Sequence, residues 1–179
     1  DVEEKWQIGY MSSIPGTPYV MVPLNSDQRY AQSYYSKSAS SVRNYLFING
    51  QNNEKDWLFD TNAYLIIEMD LLSGGAVRSD KDVVRAILYR IVKSDTNKDE
   101  RLTPDDLQTV ALSAPDGRNY KEILDRIDRF LGHRLVDEKT LLLLYQRKGT
   151  AFSANVDLTG FAVYNETELP KVGSEKITP

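Results

Sequence analysis

At 179 residues, with 41% hydrophobic and 27% charged side chains, the chain has the composition of an ordinary globular protein rather than a disordered one. Its 26 acidic and 22 basic residues give a net charge of -4 with no basic stripe, which argues against a nucleic-acid backbone as the main partner. There is no cysteine, so disulfides, thiolate catalysis and thiolate metal sites are excluded; the longest apolar runs, LLLLY at 141–145 among them, are far shorter than the roughly 18 residues of a membrane span.

In chain order, WQIGYM (6–11) reads as a first strand, ended by SSIPGTP, whose proline and glycine content breaks regular structure. YVMVPL (19–24) is a second strand, with Pro23 placing it near an edge or an end. Residues 25–41, NSDQRYAQSYYSKSASS, follow no period and read as a long loop. Its Tyr30, Tyr34 and Tyr35 either pack that loop down or present an aromatic binding surface, and they are the candidate binding residues. VRNYLFI (42–48) and DWLF (56–59) form a predicted hairpin across a polar turn that starts at Asn49-Gly50. AYLIIEMDLL (63–72) is apolar on both alternations, as a strand covered on both faces would be. VVRAILYRIVKSD (83–95) is rich in β-branched residues and reads as strand. A helix is the rival there, because Val83, Ile87 and Ile91 also share a helical stripe.

Beyond an acidic stretch, TVALS (109–113) is a short strand ending in the turn APDGRN. In YKEILDRIDRFLG (120–132) the apolar residues fall on one helical face. Asn119 with Glu122 can form a capping box and Gly132 can stop the helix, so pattern alone predicts a helix. The C-terminal segment is a series of hairpins with turns at 137–139, 148–150 and 158–160. Residues 139–169 are expected to form three antiparallel strands of one sheet, with LLLLY buried on both faces. The tail, 171–179, has nothing to bury and is expected to fray. The whole chain, 1–179, is expected to be a single domain.

TVALSAPDGRNYKEIL joins a short strand ending in serine, an Asp-Gly turn and a second strand ending in an aliphatic pair. It resembles the repeats of TolB-like and related WD40-like β-propeller proteins of bacterial envelopes, and the likeness extends over residues 43–169. That resemblance implies an all-β fold of antiparallel propeller-like sheets and turns 120–126 into a strand. A blade takes about 40 to 45 residues, so the chain has room for roughly three or four. The propeller is therefore expected to be incomplete or modified.

The acidic stretch SDTNKDERLTPDDL (94–107) resembles the calcium loop of EF-hand proteins. The resemblance places Asp95, Asn97 and Asp99 as the first three ligands and the Arg101 carbonyl as the next. Thr103 follows, directly or through water, with Asp106 closing the set. It implies one structural Ca2+, or Mg2+, in an EF-hand-like loop inserted into the β domain. Two positions depart from that pattern: Glu100 stands where glycine allows the sharp turn, and the shorter Asp106 replaces glutamate. The residues also admit a metal-free account of the loop's exit. In it Thr103 caps a turn begun by Pro104, and Asp106 returns to the Thr103 backbone.

His133 is the lone histidine, so histidine-rich zinc sites and HExxH are impossible, and no GxSxG elbow or phosphate loop is present. It is expected to be a structural histidine, and no catalytic residue stands out. The expected function is a calcium-stabilised envelope or extracellular binding or scaffold domain for a protein or glycan partner, more readily non-enzymatic than enzymatic. The alternatives are a hydrolase using acidic side chains in a cleft, or a module of a larger adhesin. Because the sequence starts at Asp1 rather than methionine, an export signal is expected in the precursor. Location would then be periplasmic or extracellular, with a lipid anchor as an option.

Overall fold

The computed structural model describes residues 6–26, 41–74 and 83–171. Among these residues every regular element is a strand, and neighbouring strands pair antiparallel. The first sheet contains β1 (Trp6–Ile8), β2 (Ser12–Ser13), β3 (Tyr19–Ser26), β4 (Ser41–Asn49), β5 (Lys55–Trp57), β6 (Leu65–Ser73), β7 (Val84–Val92), β8 (Gln108–Ser113) and β9 (Lys121–Ile127). Its order is β1-β3-β4-β6-β7-β8-β9, with β2 also on β3 and β5 also on β4. The second sheet is the meander β10 (Arg129–Leu135), β11 (Thr140–Arg147), β12 (Thr150–Asp157) and β13 (Ala162–Glu168).

β7 shows why the first sheet is buried on both sides. Ala86 and Leu88 enter one core while Ile87, Tyr89 and Ile91 enter the other, and none of the five is exposed. The first core lies between the sheets. It joins Leu72, Leu88, Val110 and Leu112 to Leu141, Leu143, Tyr145 and Val156 of the second sheet. The second core gathers Ile14, Met21, Tyr45, Phe47 and Phe59 on the opposite face. Each large aliphatic side chain so buried contributes about 1.5–3 kcal/mol relative to exposure.

The all-β expectation stands, but the propeller does not. Propeller blades are separate four-stranded sheets arranged around a channel, whereas here nine strands belong to one hydrogen-bonded sheet and the sheets do not close into a ring. The EF-hand insertion is overturned too, and with it the calcium-binding description built on that likeness. An EF-hand needs a helix on each side of its loop, and this acidic loop instead joins antiparallel neighbours β7 and β8.

The rivalry at 120–131 resolves as strand, and the helical stripe has a physical origin. β9 pairs with β8 through two register shifts, Val110 opposite Leu124 and Gln108 opposite Ile127. One inserted residue converts the strand period of two into a spacing of three, which imitates a helix. Arg126 takes a φ of 51° within this stretch, outside the right-handed helical region. Gly132, expected to stop a helix, instead lies at a bulge in β10.

The three strands predicted over 139–169 form as β11, β12 and β13. Burial of LLLLY on both faces does not hold: Leu141, Leu143 and Tyr145 are fully buried, yet Leu142 is 38% exposed. Both edges of β11 are paired, and only one face meets the first sheet. Residues 27–40, with Tyr30, Tyr34 and Tyr35, and the tail from 172 lie outside the described residues. No helix among the described residues is long and apolar enough to cross a membrane.

Candidate functional site

The face of β6 that sends Leu72 into the inter-sheet core carries carboxylates further along, at Asp70 and Glu68. Two bulges bring partners to them. In β6 the register shifts between Ile66 and Glu68, which turns Glu68 to sit opposite Arg90 of β7. In β10 it shifts between Phe130 and Gly132, leaving Leu131 unpaired and 40% exposed, with Gly132 opposite Leu144 and His133 opposite Leu143. Bulges recur beside functional sites because they re-aim side chains in this way.

The result is a compact group of donors. One ligand atom each from Glu68, Asp70 and His133 lies within 4.8 Å of the other two, and all three residues are partly buried. His133 Nε2 lies 2.8 Å from Asp70 Oδ2, and its side chain is 16% exposed against 47% for Asp70. Arg90 Nη1 donates to Glu68 Oε2. The guanidinium is itself fixed by Nε donating to Gln108 Oε1 at 3.2 Å and by lying 5.6 Å from the Phe130 ring centroid. Phe130 stacks on the His133 ring with centroids 6.0 Å apart. Arg90 therefore holds one oxygen of Glu68, while Phe130 packs against both the guanidinium and the imidazole. These three donors form a group able to coordinate a divalent metal.

The acidic loop is ordered by its own backbone. Asp95 Oδ1 accepts from Lys98 N at 2.6 Å and Asp99 N at 3.2 Å, and its Oδ2 accepts from Glu100 N at 2.8 Å. Asn97 Oδ1 accepts from Asp99 N, and Asp99 Oδ1 accepts from Arg101 N, each at 3.0 Å. The two-residue spacing of Asp95, Asn97 and Asp99 thus serves successive side-chain-to-backbone turns. Those turns hold Lys98 and Glu100 at φ values of 64° and 65°.

Asp106 is 1% exposed and closes the loop. Its Oδ1 accepts from Thr96 N, Thr96 Oγ1 and Asn97 N, and its Oδ2 accepts from Thr103 N. Thr103 Oγ1 in turn accepts from Asp105 N at 3.3 Å. Burial opposes ionisation of Asp106, but the bonds from Thr103, Thr96 and Asn97 outweigh it and hold the carboxyl below the usual carboxylate range.

Of the residues singled out in the sequence, the loop set stays together in one loop, and His133 joins Glu68 and Asp70, which sequence reasoning passed over. A signal for them existed. In LIIEMDLL the two acids are the only charged residues and stand two apart, on one face of a strand. Two open depressions lie elsewhere, one of about 490 Å³ lined in part by Lys139, Asp157 and Tyr164, the other of about 330 Å³ beside Trp57 and Arg118.

No known protein-family model and no curated protein matches the chain. Among solved structures, a luciferin-regenerating enzyme is similar at 10% identity over 90% of this chain, with a TM-score of 0.46. The chain spans 46% of that protein's length. A likeness at this level carries no conclusion about function.

Proposed function

We propose that the protein is a divalent-metal-binding all-β domain, with Glu68, Asp70 and His133 as the ligands. The observation that carries this reading is the convergence of two carboxylates and the only imidazole within 4.8 Å. Three protein ligands leave coordination positions open for water, the arrangement that lets a metal act on bound water or polarise a substrate oxygen. Hydrolysis is the chemistry this donor set supports, ahead of the scaffold role expected from the acidic loop. An imidazole among the ligands favours Mn2+, Fe2+ or Zn2+ over Ca2+ and Mg2+, which prefer all-oxygen shells. Arg90 would keep its hold on Glu68 Oε2 and leave the other carboxylate oxygen for an ion, so the arginine would position a ligand without replacing it.

Isothermal titration of the metal-free chain with Mn2+, Zn2+, Ca2+ and Mg2+, paired with thermal unfolding, tests the reading. Mn2+ or Zn2+ should bind at one site and raise the midpoint, with a stabilisation of about 2.7 kcal/mol at a hundredfold excess over Kd. His133→Gln and Asp70→Asn should each remove that increment. A site that survives both substitutions, or one that prefers Ca2+, would refute it.

A further inference from the structure

Arg43 is 3% exposed, and among the described residues its charge meets no carboxylate within ion-pairing distance. Its Nη1 donates to Ala63 O at 3.3 Å, while its Nε is buried with no hydrogen-bond partner. A second orphan lies on the adjoining strand. The Ser26 hydroxyl is also buried without a partner, in a residue 5% exposed. Only three such atoms occur among the described residues, and two belong to this strand pair.

The backbone explains why both arise here. Leu24 pairs with Asn44 and Asn25 with Val42, so Arg43 is the extra residue of a bulge; Ser26 follows opposite Ser41. Ser41 Oγ donates to Ser26 O at 2.7 Å, which fixes this end of the strand pair. Neighbouring Asn44 is supplied on every side. Its Nδ2 donates to Phe59 O and Asn62 Oδ1, and its Oδ1 accepts from Tyr45 N and Phe59 N. Among the described residues the fold has therefore matched the amide fully and left the guanidinium beside it without an anion. Buried charge is tolerated when paired and strongly destabilising when not.

We infer that Arg43 and Ser26 form an anion site, separate from the Glu68–Asp70–His133 centre, that takes a small carboxylate. With Nη1 committed to Ala63, the Nε side of the guanidinium remains, and a carboxylate can meet that edge with two parallel bonds. The Ser26 hydroxyl is a further donor. A single buried positive charge balances a monoanion; a phosphate dianion would bring excess charge into the same surroundings.

The test is thermal unfolding of the full chain in sodium formate, acetate, phosphate or chloride at matched ionic strength and neutral pH. Formate or acetate should raise the midpoint above chloride in a saturable way, and above phosphate as well. Arg43→Met, similar in length and uncharged, should abolish the difference and leave the midpoint in chloride at or above that of the unsubstituted chain. Ser26→Ala should weaken the carboxylate effect several-fold without removing it. On the unsubstituted chain, selective line broadening of 13C-formate, reversed by excess acetate, gives a readout that needs no variant. Equal midpoints in chloride and acetate would refute the site, as would the same acetate effect in Arg43→Met or a stronger response to phosphate. Asp27→Asn covers a carboxylate supplied by the chain itself. If that variant loses stability and becomes newly responsive to acetate, the charge has an internal partner and the ligand site is overturned.

Discussion

Asp106 shows how one carboxylate can organise a loop that looks, residue by residue, like a cation site. Its two oxygens accept from three backbone N–H groups and a hydroxyl, so they do for the chain what a metal ion would do from the centre. Asp106→Asn keeps the shape but turns an amide N–H donor toward groups that are themselves donors, and should cost about 1–3 kcal/mol in urea unfolding at neutral pH. The pH dependence has a definite sign. The folded carboxyl is held below its ordinary value, so its contribution is complete above the unfolded pKa of about 3.9 and is lost as pH falls through the folded value. The gap between the unsubstituted chain and Asp106→Asn should therefore narrow in acid. Unfolding curves that stay parallel from neutral pH down to acid would contradict this account.

At the level of elements, the β8–β9 hairpin depends on its turn. Gly117 sits at a φ of +81°, and a Cβ there would come within 2.5 Å of the Phe47 ring on β4. The turn that sequence reads as Pro-Asp-Gly is therefore also a packing contact with a strand far away in the chain. Gly117→Ala should destabilise by about 1–3 kcal/mol through strain and overpacking together. Gly149 offers the comparison, because its φ is +77° and nothing lies within 4 Å of the added carbon. Gly149→Ala should lose only the backbone part, and equal losses at the two positions would show that Phe47 yields without cost. The helical stripe in 120–131 belongs to the same scale. Turn residues 115–117 were legible because their conformation is local, whereas the bulges of β9 exist only through pairing with β8.

For the whole molecule, the main question is how two sheets act as one. Leu141, Leu143, Tyr145 and Val156 complete a core that Leu88, Val110 and Leu112 begin. The close contact of His133 with Asp70 and the ion pair of Arg85 with Glu138 cross the same boundary. Leu143→Ala, in the second sheet, should cost about 2–5 kcal/mol. Trp6 and Trp57 both belong to the first sheet, so their fluorescence reports on a region the substitution does not touch. Shared burial predicts that tryptophan fluorescence and far-ultraviolet circular dichroism shift together to the same lower midpoint. A fluorescence transition left in place would mean that the sheets unfold independently.

Strand positions and turns were readable in the chain itself, because alternation and turn chemistry are set by residues a few places apart. VRNYLFI with DWLF, TVALS with its Asp-Gly turn, and the C-terminal hairpins all lie where those signals put them. The exclusion of thiolate chemistry likewise needed composition alone. Sheet membership, closure and register were decided by contacts between distant segments, so a hairpin suited to a blade could join a nine-stranded sheet instead. The acid pair on β6 and the lone histidine on β10 came together only where bulges in two different sheets turned them toward one another. No local pattern carries such a meeting, because a bulge records the fit between partners rather than the preference of either strand.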